Sequence, residues 1–245
     1  MIRPFLIALQ FLTRIPLQLD PPPQAGETGR SLLYYPLVGL VIGFLLWLSA
    51  HLLAGQGHLL AAALLCLVWV LITGGLHLDG MADTVDGWLG GLRDRERTLA
   101  IMQDPATGPM GTLSLILVLL LKFAALYTLL EDSRYAVLLL PPVLGRTAGL
   151  VLLATTPYVR ARGLAELLTR EADSWYCLRI SALAAAAVFL LAPLAGALAI
   201  VLSTALLLGW RRQLLQRLGG FTGDTTGALI EGVEVSTLVL LALVY

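Results

Sequence analysis

Gly74-Gly75-Leu76-His77-Leu78-Asp79-Gly80-Met81-Ala82-Asp83-Thr84-Val85-Asp86-Gly87 follows directly on an apolar run that ends near Thr73. Its three carboxylates stand at spacings of four and three. A helix turns about 100° per residue, so Asp83 and Asp86 point within about 40° of Asp79, and the three climb one face over about 10 Å. Like charges at such spacings destabilise a bare helix. At the edge of hydrocarbon they cost more, unless a cation offsets them. Acidic stripes are ordinarily solvated faces, but here the flanks are apolar and no lysine or arginine intervenes before Arg93. Hard carboxylate oxygens suit Mg²⁺ or Mn²⁺, which take a few carboxylates and leave positions open for phosphate oxygens. The stretch therefore points to a metal-dependent phosphoryl-transfer site at a membrane surface. Gly80, Gly87, Gly90 and Gly91 weaken the helix locally, and suit the close approach of another helix or a ligand.

The rest of the chain supplies the membrane. Of its 245 residues 58% are hydrophobic and only 13% charged, with a mean hydropathy of +0.85. A soluble domain seldom carries so little charge, and several apolar runs approach bilayer length. These values predict one all-α domain over residues 1–245, a polytopic bundle of about six transmembrane helices plus an N-terminal interfacial helix. Net charge is formally zero; it says nothing for nucleic acid, and none is expected as a partner. Cys66 and Cys177 form no CxxC, and His51, His58 and His77 no cluster, so neither a disulfide framework nor a zinc site is expected. Phe5–Leu12, bracketed by Pro4 and Pro16, lacks the small-x-small pattern of a cleaved signal peptide. Arg3, Gln10 and Arg14 suit a helix lying in the interface.

Spans are expected at about 32–53, 59–75, 109–130, 135–155 and 227–245, with Asp20–Gly29 a loop. The run 181–210 is long for one crossing and short for two. Charge arbitrates. If it is a hairpin, segments 1–31, 76–108, 156–180 and 211–225 share one side and hold 13 of the 16 Lys and Arg residues. The positive-inside rule makes that side the cytoplasm. Every acidic cluster then meets at one face of the membrane.

The second such cluster is Gly219-Gly220-Phe221-Thr222-Gly223-Asp224-Thr225-Thr226-Gly227-Ala228, with Glu231 and Glu234 further on. Asp224 suits an N-cap as well as a ligand. Gly- and Thr-rich backbone ahead of a helix, here Thr222 and Gly223, can hold phosphate oxygens. Glu231 and Glu234 sit deeper, where a purely structural role is harder to justify. Pro109 suits a first helical position and leaves N–H groups after Gly108 for an anion. Arg93, Arg95 and Arg97 could grip phosphates, although basic loops beside an anionic leaflet are ordinary. Arg146 and Lys122, within spans, need an acidic or ligand partner. Tyr34 and Tyr35 read as interfacial anchors.

At these residues the chain resembles the cobalamin synthase family, the adenosylcobinamide-GDP ribazoletransferases. The acidic stretch 74–87 is similar to the family signature. Further likeness lies in Phe11-Leu12-Thr13-Arg14-Ile15-Pro16, Tyr35-Pro36-Leu37-Val38-Gly39, Arg95-Glu96-Arg97 with Ile101-Met102-Gln103-Asp104, Gly145-Arg146, and Thr222–Ala228 with Glu231 and Glu234. One departure is that the family usually has Ser-Arg after the loop aspartate, where this chain has Pro105-Ala106. A basic phosphate contact is either missing there or supplied by Arg95 or Arg97.

The resemblance implies a multi-pass enzyme of the bacterial inner membrane whose active site faces the cytoplasm. Adenosylcobinamide-GDP would react with α-ribazole or its 5′-phosphate, releasing GMP, in the last assembly step of vitamin B12. It implies Mg²⁺ as cofactor, held by Asp79, Asp83, Asp86, Asp224, Glu231 and Glu234. Catalytic roles fall to Asp79, Asp83, Asp86, Asp104 and Glu231. Substrate or phosphate contacts fall to Arg14, Arg95, Arg97, Gly108, Arg146, Thr222 and Gly223. Membrane lipid is an expected partner, and a homo-oligomer is compatible. Two rivals stand beside this reading. Asp83-Thr84-Val85-Asp86-Gly87 matches the DxxDG opening of CDP-alcohol phosphotransferases, but the Ala-Arg expected after it is absent. A cation-coupled transporter would call for internal hydropathy symmetry, and none is evident. The cobalamin reading requires Asp79, Asp83, Asp86, Asp224 and Glu231 to converge in one cavity.

Overall fold

The computed structural model describes residues 2–160, 168–169 and 173–245, so half of the basic stretch from Arg160 to Arg179 lies outside the described residues. The described residues form helices joined by short loops, with no strand and one isolated parallel bridge between Tyr158 and Phe221. Helix α1 (Ile2–Leu12) buries Ile7, Ala8, Leu9 and Leu12 along one side. The loop expected over 20–29 is cut short by α2 (Ala25–Ser31). Glu27 explains the difference, since its carboxylate accepts a hydrogen bond from the Gln24 N–H at 3.1 Å and pairs with Arg3 at 3.0 Å. A 3-10 turn (Leu32–Tyr34) leads into α3 (Tyr35–Leu52).

The acidic stretch is set off from the helix before it by a sharp turn. Helix α4 (His58–Thr73) ends at Gly74 and Gly75, whose φ values are 64° and 70°. Side chains are strained in that left-handed region and glycine is not. The pair of glycines therefore lets α5 (Leu76–Gly90) leave at 87° to α4. Helix α6 (Arg95–Ile101) follows, then α7 (Pro109–Glu131), a 3-10 turn (Tyr135–Leu139) and α8 (Leu140–Thr155). The run 181–210 is a hairpin, α9 (Ser174–Leu191) and α10 (Pro193–Arg217), broken at Ala192. Helix α11 (Gly223–Val244) closes the bundle and begins four residues earlier than the apolar pattern suggested.

Among the described residues six stretches are long and apolar enough to cross a membrane, and the bent α4–α5 pair makes a seventh if it is one broken span. The polytopic helical bundle read from composition is thus the fold. Helix α11 is its hub, packed against α5, α7, α8 and α10, while α3 packs on α8. Leu140 to Leu150 of α8 are buried without interruption. Outward faces are apolar instead: Leu113, Ile116, Leu117 and Leu120 on α7, Leu183 and Leu190 on α9, Leu194 and Val201 on α10. Hydrocarbon is the solvent that suits such faces.

Candidate active site

Helix α5 meets α11 through a glycine. A Cβ on Gly80 would stand 2.8 Å from the Asp224 carbonyl oxygen and 3.0 Å from its Cα. Bare backbone at this point lets Asp79 and Asp224, distant in sequence, line one cavity of about 590 Å³ together with His77, Tyr35, Gln103 and Arg160. Thr222, not Asp224, caps α11: its Oγ1 accepts from Thr225 N at 3.2 Å, and Thr225 Oγ1 accepts from Thr222 N at 2.8 Å. Asp224 is thereby free to turn its carboxylate to the cavity, where Arg160 Nη2 lies 2.6 Å from its Oδ2. Asp83, one turn beyond Asp79, lies in the field of Asp79, Asp224 and Asp86, with Arg160 as the opposing cation.

Three carboxylates against one guanidinium is a surplus of negative charge that a cation would relieve. Among the described residues, however, no three carboxylate, imidazole or thiol groups close into a ready-made metal cage. Mg²⁺ commonly takes one or two carboxylates and completes its shell with water and substrate phosphates. Asp79, Asp83 and Asp224 fit that mode.

The expected convergence of Asp79, Asp83, Asp86, Asp224 and Glu231 in one cavity is met only in part: Asp79 and Asp224 line it, Asp83 stands one turn along, and the other expected ligands are placed elsewhere. Asp86 turns both oxygens to the start of α7, accepting from Gly108 N at 2.7 Å and Gly111 N at 2.8 Å. An anion at that helix terminus was expected from Gly108 and Pro109; the protein's own carboxylate occupies the position designated for a phosphate. Glu231 and Glu234 lie deeper along α11, buried, and face cations rather than the cavity. Lys122 Nζ is 2.5 Å from Glu231 and 3.0 Å from Glu234, and Arg146 pairs with Glu234. Lys122 also sits over the Trp69 ring at 4.2 Å, and Arg146 Nη2 is 3.4 Å from His77 Nδ1. The acidic partners that Arg146 and Lys122 needed are these two glutamates. Arg146 is fully buried and is not among the residues that line the cavity.

Of the other arginines expected at phosphate, Arg95 bonds through its guanidinium, while Arg97 and Arg14 bond through their own backbone N–H groups. Arg95 Nε donates to Leu218 O at 2.8 Å, tying α6 to the turn before α11. Arg97 N donates to Asp94, which caps α6. Arg14 N donates to Ile72 O at 2.7 Å and its side chain covers Gly74. Asp104 accepts from Ala106 N at 2.9 Å, holding the loop before α7. Gly223 lines the cavity.

Two cavity residues were not singled out from sequence. Tyr35, expected as an interfacial anchor, is buried and lines the cavity. Arg160 reads in the sequence as one of several basic loop residues. Its distinguishing feature is a contact across sixty residues: Val159 N donates to Phe221 O at 3.0 Å and Phe221 N to Pro157 O at 2.9 Å. No local pattern announces such a pairing.

Comparison with known proteins bears on the whole of this arrangement. The family model described as cobalamin-5-phosphate synthase matches residues 4–242. An adenosylcobinamide-GDP ribazoletransferase of Pseudomonas putida (strain GB-1) is 53% identical over 244 residues, covering 98% of each chain. That of Pseudomonas fluorescens (strain SBW25) is 50% identical, covering 98% of this chain and 99% of the relative. The one of Stutzerimonas stutzeri (strain A1501) is 51% identical, covering 98% of each. No solved structure matches the chain. The likeness to CDP-alcohol phosphotransferases is by contrast confined to the few residues from Asp83 to Gly87. With transferases of one kind matched from end to end, the chain belongs to the cobalamin-5-phosphate synthase family.

Proposed function

We propose that this enzyme joins adenosylcobinamide-GDP to α-ribazole, or to α-ribazole 5′-phosphate, with release of GMP. The observation that carries the reading is the convergence of Asp79 and Asp224 on one cavity, from helices far apart in sequence, with Asp83 and Arg160 beside them. Asp79, Asp83 and Asp224 are the residues that would hold Mg²⁺, which would supply positive charge against that gathering on the diphosphate oxygens. A ribose hydroxyl oxygen bonds to the phosphorus nearest the corrinoid's aminopropanol arm, and the bond from that phosphorus to the GMP oxygen breaks. The hydroxyl proton passes to a carboxylate at the cavity, one of the same three aspartates. Glu231, tied to Lys122, and Asp104, tied to Ala106, are less suited to that proton.

Orientation follows from charge. With the α4–α5 pair taken as one crossing, residues 1–31, 91–108, 156–180 and 211–225 share a side and hold 13 of 16 Lys and Arg residues. Phe11, Gln103, Arg160 and Asp224, which line the cavity, come from these segments, which supports a cavity open to that side. That side is the cytoplasmic face of a bacterial inner membrane under the positive-inside rule. The test is GMP release from adenosylcobinamide-GDP plus α-ribazole in reconstituted vesicles, with Mg²⁺ and with EDTA. Metal-dependent release that needs both substrates supports the reading; a protein that transfers from CDP-linked lipid instead overturns it.

A further inference from the structure

Arg160 is the cationic side chain among the described residues that line the acidic cavity. Its position is built rather than incidental. The two backbone hydrogen bonds between 157–159 and Phe221 clamp its segment to the loop that opens α11. Within the guanidinium the donors are unevenly used. Nη2 serves both acceptors, Asp224 Oδ2 at 2.6 Å and Met102 O at 3.3 Å. The Nε–H is buried without a hydrogen-bond partner. A buried donor left unmatched is costly, and a ligand oxygen would satisfy it. Guanidinium presents its donors as a rigid fork suited to two oxygens of one phosphate.

Charge leads to the same ligand. A diphosphate approaching Asp79, Asp83 and Asp224 meets repulsion, and none of the arginines named from sequence for phosphate, Arg14, Arg95, Arg97 and Arg146, lines the cavity. Arg146 is locked on Glu234, Arg95 on Leu218 O and Arg14 against Gly74. We infer that Arg160 grips the diphosphate of the nucleotide-activated substrate, with Asp224 and Met102 O orienting the fork and its Nε–H supplying the free donor. This rests on the reading of the cavity as a nucleotide-diphosphate transferase site.

The experiment compares binding of GDP with that of guanosine, which lacks the diphosphate, to the full chain in lipid nanodiscs with Mg²⁺ present. Wild type should prefer GDP at least tenfold. Arg160→Ala should lose at least tenfold in GDP affinity with guanosine affinity unchanged, and Arg160→Lys, a point charge without the fork, should fall between. Equal GDP binding by Arg160→Ala and wild type overturns the inference, as does a parallel loss of GDP and guanosine. If Arg160→Ala does not fold, Arg160→Lys decides it, because wild-type GDP affinity in that variant means that the fork is not used. Wild type showing no preference for GDP is also against it. Wild type that binds GDP through Arg160 yet never releases GMP from adenosylcobinamide-GDP sinks the proposed reaction and leaves the diphosphate site standing.

Discussion

Lys122 Nζ lies 2.5 Å from Glu231 Oε1, both buried and on helices that meet in the interior of the bundle. Glu234 and Arg146 extend the pair to two anions and two cations joining α7, α8 and α11. Removing one member strands a buried charge, which costs about 3–5 kcal/mol, whereas replacing a pair by apolar residues is often neutral. Glu234→Leu is therefore expected to unfold at a much lower temperature than wild type, and Glu234→Leu with Arg146→Met to recover most of the loss. Tryptophan fluorescence during heating in detergent measures both. A single variant as stable as wild type would show that the network does not hold the helices together.

Asp86 and Asp83 are three residues apart on one helix and should fail in different ways. Asp86 accepts two backbone N–H bonds at the start of α7. Hydrogen bonds to a charged group are worth about 1.5–3 kcal/mol each, so Asp86→Ala should lower stability clearly, with activity falling in step with the folded fraction. Asp83 stands among Asp79, Asp224 and Asp86, and its neutralisation relieves repulsion. Asp83→Asn should melt at or above the wild-type temperature while GMP release falls a hundredfold or more. Parallel melting curves and GMP assays separate the two. Full activity in a folded Asp83→Asn removes that carboxylate from the mechanism.

Much of this was legible because membrane solvent imposes simple rules. Apolar length marked the spans, and the Lys and Arg distribution resolved 181–210 into α9 and α10. The spacing of Asp79, Asp83 and Asp86 placed the three near one another on α5. What spacing could not say is which neighbour each carboxylate finds. Asp86 meets α7's N-terminus and Glu231 meets Lys122 because α7 packs on both α5 and α11. That packing is tertiary, and the separation between Lys122 and Glu231 in sequence leaves no periodicity to read. Arg160 was missed for the same reason: its value comes from Phe221, sixty-one residues away.

Gly80 gives a prediction about distance rather than charge. Its missing side chain is where α5 lies against the Asp224 backbone. Gly80→Ala improves helix propensity by about 1 kcal/mol, but its methyl group would stand 2.8 Å from a carbonyl oxygen, so one helix must shift. Overpacking of this kind costs about 1–3 kcal/mol. A shift of α5 also separates Asp79 from Asp224, and misplacement of about 1 Å can cost a hundredfold in rate. Gly80→Ala should therefore lose far more activity than stability. GMP release compared with melting temperature checks this, and unchanged activity would mean that the α5–α11 spacing is not critical.

Removal of metal should act through the same three aspartates. A ligand that binds only the folded state stabilises it by RT ln(1 + [L]/Kd), about 2.7 kcal/mol at a hundred times Kd. Because the protein offers a partial shell, Mg²⁺ should raise the melting temperature more when GDP is present than alone. EDTA should erase the rise and stop GMP release together. Asp83→Asn and Asp224→Asn, each withdrawing a charged oxygen donor from the cavity or its edge, should blunt the Mg²⁺-dependent rise. Glu231→Gln should keep it even if its starting melting temperature is low, since Glu231 is engaged with Lys122 deeper in the bundle. If Glu231→Gln abolishes the Mg²⁺ response while Asp83→Asn and Asp224→Asn retain it, the ion binds along the glutamates of α11 and not at the mouth of the cavity.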